Sequence, residues 1–357
     1  MKLMILADAK SPHTIKWANA LSNQGIEICI LSFRKAINEN YNHNIINISL
    51  NSEGSKFSYL KLLPIVKREI TTFKPDILHS YYASSYGLIG ALSNFQPLVI
   101  SVWGSDIFEF PKKSFLHKSI LKLNFKKANF LQSTSKTMAI EAKKYTNKEL
   151  EIVPFGIDTE HFKPKIINKK DDTIVIGTIK WLEEIYGIKY LIEAFNILVK
   201  QHSNKKLKLL IVGGGSKEKE YKQLVDNLGI SDKVEFTGAV SKEETIKYHQ
   251  RISIFIALSL QESFGVAVLE AAACEVPAVV SNVGGLPEVV INNKTGYVVE
   301  SKNPKQAAEA ISKLLLNNKL LTNFGINARQ FVIENYNWTD NIDNQIKLYN
   351  SYIKKIH

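Results

Sequence analysis

The sequence predicts an α/β protein of two domains that opens on a doubly wound sheet. Three observations carry that reading. The chain has 357 residues, above the usual single-domain size, so two domains of about 150 to 200 residues each are expected. Its first residues run strand (Leu3 to Leu6), loop (Asp8 to His13), helix (Thr14 to Ser22, ending near Gly25) and strand (Glu27 to Ser32), the order of a βαβ unit. Later in the chain an apolar run (Ile254 to Leu258), a helix of small and apolar residues (Val266 to Cys274) and a further apolar strand (Ala278 to Val280) follow one another.

Composition excludes several classes. With 45% hydrophobic and 22% charged residues the chain can bury a core in each half. Its two cysteines, Cys29 and Cys274, are distant and apolar in setting, so they read as buried thiols in a reducing, cytoplasmic compartment. The N-terminal apolar run has strand length and lacks the form of a signal peptide. No uninterrupted run reaches the roughly 18 apolar residues of a membrane span, so a soluble or peripheral protein is expected. Net charge is +12 and local in origin: Pro111 to Lys148 holds ten lysines against one acid, Glu141.

In chain order, Lys61 to Phe73 is helix-like and Pro75 to Ser80 is a strand leading into Tyr81-Tyr82. Pro97 to Val102 is a strand followed by Trp103-Gly104-Ser105-Asp106. Ser114 to Phe130 reads as an amphipathic helix with Leu116, Ile120 and Leu123 on one face, Lys118, Lys122 and Lys126 on another, and Phe115 and Phe125 flanking that stripe. Lysines beside aromatics suit an anionic membrane surface over 112–130. A solvated face on a core helix fits the same pattern, whereas nucleic acid is disfavoured by the absence of arginine and of a binding motif. Lys165 to Asp172 is polar and aperiodic, a domain boundary. The second half opens with the strand Thr173 to Gly177, then Lys180, the helix Tyr190 to His202, and the strand Leu207 to Val212 before Gly213-Gly214-Gly215. A dinucleotide fingerprint is poorly supported there, because Glu218 stands where its third glycine belongs.

Chemistry concentrates between Ser259 and Val290, where Glu262 and Glu270 are separated by seven residues with Ser263, Phe264 and Gly265 between them at a helix start. A helix N-terminus favours phosphate, and Gly265 lets it approach the backbone. Carboxylates accept hydrogen bonds from sugar hydroxyls, which suits Glu262 to a hexose and Glu270 to a ribose on either side of a pyrophosphate. A capping carboxylate plus a solvent-facing helical Glu would give the same spacing.

Together with Ser281 to Glu288 and its Gly284-Gly285 pair, this stretch closely resembles the donor site of family 4 retaining glycosyltransferases. Those enzymes have the GT-B fold, two Rossmann-like doubly wound domains facing a central cleft. The resemblance extends to Pro75–Ser80, to Ile152–Asp158 and over nearly the whole chain. It implies an acceptor-side domain at 1–164, completed by a C-terminal helix at 338–357, and a donor domain at 165–337. Three positions depart from the family: Trp103 replaces a histidine, and Thr178 and Tyr186 replace the Arg and Lys that hold the donor pyrophosphate. Tryptophan cannot relay a proton but can stack on a sugar. Lys180 is the nearest replacement cation.

The resemblance implies a metal-independent retaining hexosyltransferase, drawing on a nucleotide diphosphate sugar, with UDP the commonest nucleotide, and acting on a saccharide or lipid-linked acceptor in surface polysaccharide or glycolipid synthesis. Asp106 and Glu262 are its expected catalytic residues. Lys180, Glu262, Ser263, Phe264, Gly265, Val266, Glu270, Thr178 and Val240 are expected to hold the donor, and His13 and Trp103 to face the acceptor. No cofactor beyond the donor and no metal are expected, since Asp171-Asp172 lies in the linker and no Asp-x-Asp follows a strand. A nucleotide-sugar epimerase of the same fold, or a noncatalytic binding protein for membranes or nucleic acid, are the alternatives.

Overall fold

The computed structural model describes residues 1–50, 58–165 and 172–356. Most of the aperiodic boundary segment, with Asp171, lies outside the described residues. Two compact units form, one from Met1–Pro154 with Thr339–His357, the other from Phe155–Trp338.

The first unit is built on seven strands: β1 (Lys2–Leu6), β2 (Glu27–Ser32), β3 (Ile46–Ser49), β4 (Ile77–Tyr81), β5 (Leu98–Val102), β6 (Phe130–Ser133) and β7 (Leu150–Ile152). Their order is β3-β2-β1-β4-β5-β6-β7, and every neighbouring pair is parallel. Helices cover both faces of such a sheet, which is why β4 and β5 are buried along their whole length. The last helix, Trp338–Ile356, packs against this sheet: Tyr352 stacks on Phe130 with ring centroids 3.9 Å apart, and the Tyr349 hydroxyl lies 2.7 Å from His79 Nδ1.

The second unit holds β8 (Ile174–Ile179), β9 (Leu207–Val212), β10 (Val234–Phe236), β11 (Ile254–Ala257), β12 (Ala278–Ser281) and β13 (Gly296–Val299). Their order is β10-β9-β8-β11-β12-β13, again parallel throughout. The helix Ile188–Gln201 shows why it forms where it does. Leu191, Ile192, Phe195 and Leu198 recur at helical spacing, are buried, and pack into a core with Ile211, Ile256, Val279 and Ile311. The helix Pro304–Leu315 starts where Pro sits at its first position and the Asn303 side chain accepts from the Gln306 N–H at 3.0 Å.

The helix read from the sequence as Ser114 to Phe130 runs Phe115–Lys127, and Phe130 instead begins β6. Its buried face is Leu121, Asn124 and Phe125, not Leu116, Ile120 and Leu123. Phe125 is thus in the core, while Phe115 and Leu116 are 85% and 57% exposed. Among the described residues no helix is long and apolar enough to cross a membrane.

Candidate functional site

In each sheet the strand order reverses once, between β1 and β4 in the first and between β8 and β11 in the second. Loops leaving the carboxyl ends of strands diverge at such a point and leave room for a ligand. In the second unit they carry Lys180, directly after β8, and Ser259 to Gly265, after β11.

Lys180 and Glu262 form an ion pair there, with both side chains 13% exposed. The Lys180 ammonium also lies 4.8 Å from the centroid of the Tyr186 ring. Two glycines make this approach possible. At Gly213, with φ +134°, a Cβ would stand 1.9 Å from the Lys180 carbonyl oxygen; at Gly284, with φ +52°, it would stand 1.8 Å from the Glu262 carbonyl oxygen. Backbone bonds fix the same contacts: Lys180 N–H donates to Val212 O at 2.9 Å, Gly213 N–H to Gly238 O at 3.0 Å, and Gly285 N–H to Glu262 O at 3.0 Å. The first of the three consecutive glycines is therefore a close-packing position against the Lys180 loop, and the β10 loop bearing Val240 is tied to the same edge.

Gly265 caps the helix Val266–Ala273 in the left-handed region, φ +104°, and as a glycine brings no capping side chain of its own. Glu270 projects from the helix, 9% exposed, with Oε2 3.3 Å from His249 Nε2. Two further donor candidates are buried: Thr178 is enclosed within β8, and the Phe264 ring has its centroid 6.1 Å from that of Phe155 and 5.7 Å from that of Tyr336. Ser263 and Val266 are half-buried at the helix start.

In the first unit, His13 in the first turn of the helix Pro12–Asn23, Tyr81 at the end of β4, Tyr82 just after it and Trp103 in the loop after β5 come together. The Trp103 ring lies 6.0 Å from His13, edge-on, 4.6 Å from Tyr81 and 5.7 Å from Tyr82, centroid to centroid. Asp106 does not join them. It is 1% exposed, and its carboxylate accepts from the backbone N–H groups of Ala83 (2.8 Å), Gly104 (2.8 Å) and Trp103 (3.1 Å). Burial raises its pKa, and these N–H bonds oppose the rise. Those three bonds tie the carboxylate expected to be catalytic to the turn that carries Trp103. The sequence reading did not single out His249, and it named Tyr81-Tyr82 only as the aromatic pair into which a strand leads. Among the described residues no group of three or more His, Cys, Asp or Glu could hold a metal ion.

Known proteins place this geometry. The family described as Glycosyl transferases group 1 matches residues 159–331, and the Glycosyl transferase 4-like family matches residues 2–135. The N-acetyl-alpha-D-glucosaminyl L-malate synthase of Bacillus anthracis is 28% identical over 291 residues, covering 77% of this chain and 74% of that protein. The D-inositol 3-phosphate glycosyltransferase of Corynebacterium jeikeium is 31% identical over 225 residues, 59% of this chain; the match spans only about half of that relative, 54%. Anabaena HepE in complex with UDP superposes with a TM-score of 0.85 at 17% identity, covering 98% of this chain and 100% of HepE, a likeness of fold. With one matched family on each of its two parallel-sheet units, the chain belongs to the group 1 glycosyltransferases of GT-B fold.

Proposed function

We propose that the protein is a retaining, metal-independent hexosyltransferase, using a nucleotide diphosphate sugar, UDP-linked in the first instance, and a saccharide or lipid-linked saccharide acceptor in surface polysaccharide or glycolipid synthesis. The Lys180–Glu262 pair at the strand-order reversal is the observation that carries it. A sugar diphosphate offers each partner what it needs, phosphate charge for the lysine and hydroxyl donors for the carboxylate. The helix start at Gly265–Val266 adds a second phosphate-favouring element, and Glu270 a ribose acceptor.

In this reading the bond from the sugar C1 to the diphosphate oxygen breaks while C1 bonds to the acceptor oxygen on the same face. The acceptor's proton passes to the departing diphosphate oxygen, so no protein base is required. Lys180 and the helix start stabilise the charge on that leaving group. His13 and Trp103 belong to the acceptor side. The test is turnover of UDP-sugars in EDTA with the anomeric configuration of the product read by NMR. Retained configuration at undiminished rate is expected; inversion, or loss of turnover in EDTA, contradicts the mechanism.

The helix Phe115–Lys127 favours a second, peripheral role at an anionic lipid surface. Exposed Phe115 and Leu116 stand among exposed Lys112, Lys113, Lys118 and Lys122, the combination that an anionic bilayer attracts. Pelleting with vesicles containing anionic lipid, and none with neutral vesicles, is expected; equal and negligible pelleting with both sinks this role.

A further inference from the structure

His249 is the last residue of the short helix Thr245–His249 and is fully buried. Its ring sits between two apolar walls, 5.7 Å from Phe162 and 5.6 Å from Phe255, centroid to centroid. Among the described residues the ring has one polar neighbour, Nε2 lying 3.3 Å from Glu270 Oε2, and Nδ1 is buried without a hydrogen-bond partner.

That asymmetry selects a tautomer. A hydrogen on Nδ1 would leave a buried N–H without an acceptor and would aim the Nε2 lone pair at a carboxylate oxygen. A hydrogen on Nε2 removes both penalties, leaving only an unused lone pair against the phenylalanine rings. Nε2–H therefore donates to Glu270 Oε2. The donor occupies one of the carboxylate's roughly four acceptor positions and fixes the plane of the group. Oε1 and the rest of Oε2 stay available at the edge, where Glu270 retains its small exposure.

A vicinal diol needs this arrangement. Two adjacent hydroxyls can donate to one carboxylate only when its plane is set to receive them, and a freely turning side chain would lose rotamer entropy on binding. We propose that His249 is a positioning residue that presets the Glu270 carboxylate to grip the vicinal hydroxyls of the donor's ribose. The proposal rests on the reading of Glu270 as the ribose acceptor, and its test separates the two.

The test compares UDP with 2′,3′-dideoxy-UDP, and GDP with 2′,3′-dideoxy-GDP, by calorimetric titration of the wild-type chain, Glu270→Gln, His249→Phe, His249→Leu and His249→Gln. Wild type is expected to prefer the ribose form of its nucleotide. His249→Phe and His249→Leu should weaken the ribose form by about tenfold, the scale of one hydrogen bond to a charged group. The dideoxy form should bind as before. His249→Gln, whose amide can reach the position of Nε2–H, should restore most of the preference. A purely structural role would weaken ribose and dideoxy forms alike. A ribose preference that survives both apolar substitutions but is lost in Glu270→Gln overturns the proposal and leaves the ribose reading intact. A wild type without ribose preference, or one that binds neither nucleotide, overturns the ribose reading and the proposal with it.

Discussion

Asp106 is held as an architectural carboxylate would be, by backbone donors from two turns. It follows a strand at the ligand edge, yet both its oxygens are turned inward onto the N–H groups of Ala83, Trp103 and Gly104. In Asp106→Asn one oxygen becomes an NH2 group facing an N–H donor. The variant should lose about 1 to 3 kcal/mol, the penalty of a buried polar group left unsatisfied. Urea unfolding measures this, and a variant as stable as wild type would contradict the assignment. Two of the carboxylate's donors, Trp103 and Gly104, lie within Trp-Gly-Ser-Asp itself, whereas the third, Ala83, lies in a different loop that the sequence does not connect to it. His249 was illegible for the same reason: its partner is 21 residues away and only packing brings them together. Glu262, Glu270 and Lys180 could be singled out from the sequence because spacing and a strand-to-loop position mark them, and the fold sets Lys180 and Glu262 side by side.

At the scale of elements, the donor edge depends on backbones that touch. Gly284→Ala would place a methyl group against the Glu262 carbonyl and force an alanine into φ +52°. The loop must move, at a cost of more than about 1 kcal/mol. Donor affinity should fall with it, because Glu262 travels with the loop; unchanged nucleotide-sugar affinity by titration would show that the contact is dispensable. The buried strands were readable as apolar runs, whereas β3 (INIS) and β6 (FLQS) carry too many polar residues to stand out. The helix Phe115–Lys127 was found but its faces were misassigned. It buries Asn124, whose amide donates to Ala83 O at 2.8 Å and to Ser84 O at 3.2 Å, so a polar residue occupies the core stripe and hides the true periodicity.

Over the whole molecule the chain returns at its end to its first unit, and a buried histidine marks the join. His79 lies between the Tyr349 hydroxyl and the Ser101 hydroxyl, 2.7 Å from each, and burial pushes its pKa down to about 3. Its folded pKa is below the unfolded value of about 6.5. Between those values the unfolded chain binds a proton that the folded chain refuses. The contribution is complete above about pH 6.5 and is lost as pH falls toward 3. His79→Gln should therefore show a smaller drop in melting temperature between pH 7 and pH 4.5 than wild type; identical drops would contradict the burial. The two-unit plan and the returning helix were legible from length, the βαβ opening and the family resemblance, because strand order at this scale follows simple connection rules. A nucleotide-sugar site on the second unit is read out by a thermal-shift screen of nucleotide diphosphate sugars in EDTA, with Glu270→Ala beside wild type. One such sugar, UDP-linked in the first instance, is expected to stabilise wild type and not the variant; a screen in which no nucleotide sugar shifts wild type, or in which the variant shifts equally, rules that site out.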